Sequence, residues 1–150
     1  MISKENFKLK HSSKLPKGGI LFSILGFSPE PIILTARTIE PDTHIIFTTN
    51  NQSEGNDYLV RYLESNYEMV YLSDENFNTM YKALKEQLVL NPSSQITLDI
   101  TGGKKSMVAS AAIFGKDYGC KIVYVDFEEY IKDLRKPMPG SEILNIVYNP

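Results

Sequence analysis

Leu98-Asp99-Ile100-Thr101-Gly102-Gly103-Lys104-Lys105-Ser106-Met107 decides how the chain is read. The pattern is a buried strand that passes through two glycines directly into a helix. Glycine lets the backbone turn tightly and lets a ligand approach the amides. The helix start offers N–H donors without intrahelical partners and partial positive charge, which suits an anion. Lys104 and Lys105 oppose the helix dipole, which favours anions in the first turn. A bound phosphate reverses that penalty. The plainer alternative is a tight strand–helix turn with two solvated lysines. The segment is not a Walker loop, which needs glycine at Leu98 and Ser or Thr at Lys105, and no GxGxxG occurs.

On either side of this turn, strands and helices alternate. Ile20 to Gly26 is a near-continuous apolar run, as in a buried parallel strand. Ser28-Pro29-Glu30-Pro31 ends it and opens a helix, with Ser28 as cap and Pro29 at the first helical position. Helical spacing of Ile32, Ile33, Ala36 and Ile39 runs to Pro41. His44–Thr49 is a second strand. The polar loop Asn50–Asn56 leads to a helix carrying Leu59, Val60 and Leu63. Tyr67–Leu72 is a third strand, followed by the cap pair Ser73-Asp74 and a helix with Phe77, Met80, Leu84 and Leu88 on one face. Ile96–Ile100, Lys104–Tyr118 and Lys121–Val125 continue as strand, helix and strand. Ile143–Tyr148 adds a sixth strand after a polar stretch. The small residues from Met107 to Gly115 let their helix pack closely on the sheet.

This rhythm predicts an α/β three-layer sandwich, a mainly parallel sheet of about six strands with helices on both faces. Ligands in such sheets sit beyond the carboxyl ends of the strands, at the switch in strand order. The loops to watch are therefore Gly26–Pro31, Thr49–Asn56 and Thr101–Lys105.

The 150-residue chain fits one domain, residues 18–150, behind a mobile leader over residues 1–17. A hydrophobic share of 42% and a charged share of 23% are those of a soluble globular protein. A net charge of −2 provides no field to attract long nucleic acid, so a polyanion must be held by a local site. The apolar run Ile20–Phe27 is too short to cross a bilayer, and Met1–Lys10 lacks the apolar core of a signal peptide. With one cysteine, Cys120, the expected compartment is the reducing cytoplasm. Cys120 reads as a packed small apolar residue rather than a nucleophile. Nothing in the chain repeats.

The turn Asp99–Met107 resembles the signature of the CARF domain (CRISPR-associated Rossmann fold), the ligand-binding module of type III CRISPR accessory proteins. Ile24-Leu25-Gly26-Phe27-Ser28-Pro29-Glu30-Pro31 is similar to the family's first strand and loop, and Pro137-Met138-Pro139-Gly140-Ser141-Glu142 resembles a turn in some CARF nucleases. The family often has Thr where this chain has Lys105. The resemblance runs from about Ile20 to the end. It implies a Rossmann-like homodimer that senses a cyclic oligoadenylate, most simply cyclic tetra-adenylate, in antiviral signalling. A four-adenylate ring matches a two-fold axis, each subunit contributing the same half-site. By motif position, Gly26, Phe27 and Ser28 would line the ring. Thr101, Gly102, Gly103, Lys104 and Lys105 would hold phosphate and ribose. From topology, Thr49, Asn50 and Asn51 would meet adenine edges. Asp99 would support the turn by pairing with a lysine or capping an N–H.

Some CARF domains also cut the ring, which is the enzymatic alternative. A ribose 2′-hydroxyl attacks the adjacent phosphorus and leaves a 2′,3′-cyclic phosphate end, chemistry that needs in-line positioning and charge stabilisation. Ser28, Lys104 and Lys105 are the catalytic candidates, with Thr101 as a further orienting group. No cofactor or metal is expected: His11 and His44 lie far apart, and Asp126, Glu128 and Glu129 read as a solvated acidic loop. A generic mononucleotide-binding or receiver domain ranks last, because Gly26-Phe27-Ser28 supplies no acidic cluster. An effector or membrane segment fused to the sensor is a further expected partner.

Overall fold

The computed structural model describes residues 17–26, 28–49, 53–63, 66–127, 130–131, 136–137 and 142–150. Along the chain run β1 (Ile20–Ile24), α1 (Glu30–Ile39), β2 (Thr43–Thr49), α2 (Ser53–Tyr62), β3 (Glu68–Leu72), α3 (Phe77–Leu90), β4 (Ile96–Asp99), α4 (Lys105–Tyr118) and β5 (Lys121–Phe127). The short pair β6 (Tyr130–Ile131) and β7 (Lys136–Pro137) and the strand β8 (Glu142–Tyr148) complete it. The main sheet is six-stranded in the order β3-β2-β1-β4-β5-β8. Strands β1 to β5 run parallel, and β8 lies antiparallel on β5. The expected three-layer α/β architecture is what the chain forms.

Alternation along each strand divides the core. Phe22 and Ile24 of β1, Ile45 and Phe47 of β2, and Leu98 of β4 meet Met80 and Leu84 of α3 and Phe114 of α4. The rings of Phe22 and Phe47 stand edge to face with centroids 5.5 Å apart. On the opposite face, Leu21 packs under Ala36 and Ile39 of α1, and Ile46 under Ile32, Ile33 and Leu59. Gly115 lets α4 press onto the sheet: a Cβ there would lie 2.8 Å from Ile122 and 2.9 Å from Leu98. Among the described residues, no helix is long and apolar enough to cross a membrane.

Several element ends differ from the sequence expectation, each for a local reason. Pro29, rather than Ser28, holds the cap position of α1, and no side chain caps the helix. The Pro29 carbonyl accepts the N–H of Ile32 at 3.1 Å, while Pro31 sits in the first turn, where its missing N–H leaves nothing unpaired. The cap of α3 is Asn76 instead of Ser73-Asp74, because Asp74 Oδ1 accepts the Asn76 N–H at 2.9 Å and shapes the approach. Helix α2 starts at Ser53, inside the segment expected to be loop, and stops before Leu63. Its buried stripe joins Leu59 to Tyr58 and Tyr62, whose rings lie 4.5 Å apart. Val60 points outward, 72% exposed. The Tyr62 carbonyl accepts from Arg37 Nη2 at 2.8 Å, tying α2 to α1.

Of the expected leader, residues 1–16 lie outside the described residues. Lys17 is anchored: its carbonyl accepts from Gln95 Nε2 at 3.1 Å, and its ammonium meets Glu40 at 2.9 Å. The polar stretch after β5 holds the β6–β7 ladder, and Met138–Ser141 of the late turn lie outside the described residues.

The register of α2 can be read from stability. Leu59→Ala should destabilise the fold by about 2–5 kcal/mol, whereas Val60→Ala should stay within about 0.5 kcal/mol of wild type in urea unfolding. Equal costs at the two positions contradict the helix orientation.

Candidate functional site

Strand order reverses between β1 and β4: the chain leaves β1 toward β2 and β3, then returns to start β4 on the other side. The loops leaving β1 and β4 consequently diverge at their carboxyl ends and enclose the crevice where such sheets take ligands. Gly26 ends the first loop's approach and Gly102-Gly103 the second. A Cβ on Gly26 would lie 2.7 Å from the Gly103 nitrogen, and one on Gly102 would lie 2.5 Å from the Ile24 carbonyl oxygen. Gly103 also holds φ +96°, a left-handed conformation that side chains resist, and a Cβ there would strike the Ile24 side chain. Two backbones therefore cross with no room for a side chain between them.

Helix α4 starts one residue beyond this crossing. Lys104 occupies its cap position without a side-chain cap hydrogen bond, and no acidic residue stands in the first turn. Lys104, Lys105 and Ser106 are exposed. The Ser106 hydroxyl donates to the Glu75 carbonyl, drawing the β3–α3 loop up beside the helix start. The positive end of the helix dipole thus coincides with two ammonium side chains and a glycine-lined backbone. Such a surface can hold a phosphodiester through amides and charge together.

The structure brings Gly26, Gly102, Gly103, Lys104 and Lys105 together beyond the carboxyl ends of β1 and β4. Ser28 is exposed on the β1–α1 loop, and its hydroxyl is not used as a cap. Thr49 ends β2, and its carbonyl accepts from the Thr48 hydroxyl, which also reaches the Leu25 carbonyl at 3.3 Å. Thr101 turns its hydroxyl inward: it donates to Asp99 Oδ1 and accepts the Val125 N–H at 2.8 Å. Phe27, Asn50 and Asn51 lie outside the described residues.

On the α1 face lies a buried polar layer, most of which sequence reasoning passed over: Thr48 and Asp99 toward the strand ends, His44 and Thr97 toward the strand starts, with Ser23 and Thr35. Its only trace in the sequence is single polar residues inside apolar runs, as in Ile20-Leu21-Phe22-Ser23-Ile24 and Ile33-Leu34-Thr35-Ala36. Asp99 supports the turn, as expected, by accepting the Thr101 N–H at 3.0 Å. Burial pushes its carboxyl above the usual range, while the hydrogen bonds from the Thr101 hydroxyl and N–H act in the opposite direction.

The remaining chemical candidates are structural. His44 is 1% exposed, near the start of β2 and away from the crevice, and shares a 2.9 Å hydrogen bond between Nε2 and Ser23 Oγ. Cys120 is buried, and burial pushes its thiol up to about 11. His11, Glu128 and Glu129 lie outside the described residues. Among the described residues no group of three or more His, Cys, Asp or Glu is placed to hold a metal ion.

The fold is a doubly wound α/β domain with a glycine-lined helix start at its switch point. No family model matches the chain. Over 86 residues, 54% of this chain, it is 34% identical to the CRISPR system endoribonuclease Csm6 of Thermus thermophilus, of which it covers 18%. The fold superposes on Can2 from Sulfobacillus thermosulfidooxidans, solved in complex with cyclic tetra-adenylate, with a TM-score of 0.62 and 19% identity over 72% of this chain. It also matches Enterococcus italicus Csm6 bound to cyclic hexa-2′-fluoro-hexa-dAMP, with a TM-score of 0.57 and 18% identity over 81% of this chain. The chain spans 32% and 35% of those two solved chains, about a third of each. The chain thus shares the fold of these CRISPR-associated proteins and, over about half of its length, sequence similarity with one of them.

The buried histidine makes a testable contribution to pH dependence. Burial pushes His44 down to about 4 from the ordinary 6.5, so the unfolded chain binds the extra proton between those values. Stability should fall as pH drops through that window. His44→Gln should flatten this part of the curve of unfolding free energy against pH, whatever its absolute stability. A slope equal to that of wild type would show that His44 titrates normally in the folded chain.

Proposed function

We propose that this chain is a cyclic oligoadenylate sensor that works as a homodimer in type III CRISPR antiviral signalling, with cyclic tetra-adenylate as its ring. The observation that carries the reading is the crossing of Gly26 with Gly102-Gly103 at the foot of a helix that opens with two lysines and no acid. Backbone amides, the helix dipole and the ammonium groups of Lys104 and Lys105 all select a phosphodiester. A mononucleotide would fill one such cradle. A ring with a phosphate at every step rewards two cradles related by a two-fold axis, and cyclic tetra-adenylate has that symmetry. The ligands of the Can2 and Csm6 structures support the same chemical class.

In this assignment Gly26, Phe27 and Ser28 line the ring from the β1 loop. Gly102, Gly103, Lys104 and Lys105 grip phosphate and ribose, and Thr49, Asn50 and Asn51 meet adenine edges. The single buried cysteine suits a cytoplasmic protein. An effector joined to the sensor belongs with this reading, because the longer relatives carry most of their length outside the matched part.

Turnover of the ring is the second reading, favoured by one observation. The Ser28 hydroxyl is exposed on the loop beside the cradle and is not engaged as a helix cap. It would orient the scissile phosphate while Lys104 or Lys105 neutralises charge developing as the 2′-hydroxyl attacks. Linear products accumulating over many turnovers distinguish a nuclease from a sensor that returns the ring intact.

Calorimetry against rings of three, four and six adenylates, with sedimentation analysis, tests the proposal. Two chains should bind one ring of four. Replacing Lys104 and Lys105 together with Ala should weaken binding by about 2–5 kcal/mol, the range for truncated, desolvated charge contacts. Gly103→Val should abolish binding. A monomer indifferent to every ring, or unchanged affinity in the double lysine variant, rules the assignment out.

A further inference from the structure

The glycine turn is held from below by a chain of three groups. Asp99, the last residue of β4, is 2% exposed, and its Oδ1 accepts both the N–H and the hydroxyl of Thr101. The Thr101 hydroxyl oxygen then accepts the N–H of Val125 in β5 at 2.8 Å. One residue earlier the contact between the strands is ordinary, with the Ile100 N–H donating to the Val123 carbonyl at 3.0 Å. At Thr101 the backbone has left the sheet for the turn. Its hydroxyl replaces the carbonyl that a continuing strand would offer to Val125.

The hydroxyl proton can serve one acceptor, and Asp99 holds it. Thr101 therefore cannot donate to a phosphate while the turn keeps this shape. The other carboxyl oxygen, Asp99 Oδ2, and the Thr35 hydroxyl of α1 are both buried without a hydrogen-bond partner. The Thr35 hydroxyl faces the carboxyl, so the helix that follows the first glycine loop also borders this group.

We propose that Asp99 and Thr101 are positioning residues. The carboxyl–hydroxyl–amide chain from Asp99 through Thr101 to Val125 sets the direction in which Gly102, Gly103 and the start of α4 present their amides, without either side chain touching the ligand. This rests on the turn being the oligoadenylate site, and it moves Thr101 from the expected ligand contacts to their support.

Amide hydrogen exchange of the ligand-free chain and cyclic tetra-adenylate affinity test it together, using Thr101→Val, Thr101→Ser and Asp99→Asn. In Thr101→Val the Val125 amide should exchange about tenfold faster, the loss expected for one hydrogen bond, while β1 and β2 amides keep their rates. Affinity should fall about tenfold with it. Thr101→Ser, which keeps the hydroxyl, should restore both, and Asp99→Asn, whose amide oxygen still accepts the Thr101 N–H and hydroxyl, should stay near wild type. A residue that merely stabilised the fold would accelerate exchange throughout and leave the affinity of folded molecules unchanged. Unaltered exchange at Val125 in Thr101→Val overturns the proposal, as does wild-type affinity despite faster exchange. A wild-type chain that binds no ring defeats the sensor reading alone, while the exchange pattern still decides whether these groups set the turn.

Discussion

Two strand-end loops cross with backbone against backbone at the reversal of strand order, and the site depends on that contact. Gly26 lies over Gly103, and Gly102 over the carbonyl of Ile24, at distances that leave no space for a Cβ. The crossing brings both loops into one crevice and keeps the peptide groups uncovered by side chains. Helix α4 begins immediately afterward, so its dipole and its two lysines are delivered to the same place. A bulkier residue at any of these glycines would separate the loops.

The two faces of the sheet serve different purposes. The α3–α4 face is an apolar, aromatic core in which Phe22, Phe47 and Phe114 interlock, and it supplies most of the burial that stabilises the fold. The α1 face mixes apolar packing with buried hydroxyls, a neutral histidine and a carboxyl. Such groups contribute little net stability and are costly when left unpaired, yet they hold backbone in particular directions. Here Thr48 and Asp99 sit at the strand ends. Thr48 fastens β2 to the Leu25 carbonyl just beyond β1, and Asp99 with Thr101 fastens the end of β4 to β5. The layer nearest the crevice is thus organised for direction, with stability provided on the other side.

Ser28 illustrates how one assignment affects another. As a helix cap its hydroxyl would be occupied. Because Pro29 takes the cap position, Ser28 stands exposed on the loop after β1. The same proline thus sets both the start of α1 and the chemistry available to the first loop.

The sequence alone determined the alternation of strands and helices, the parallel sheet and the glycine turn with its lysines. Those signals are local: period two against 3.6, glycine where backbone must approach backbone, proline where a helix opens. It also marked Asp99 as a supporting group. Strand order, the antiparallel placement of β8, the outward side of Val60 and the partner of the Thr101 hydroxyl were decided only in three dimensions. Each depends on which distant segment a crossover brings alongside, as Val125 is brought to Thr101 across 24 residues. A polar residue inside an apolar run announces that it needs a partner; only the packed sheet supplies one.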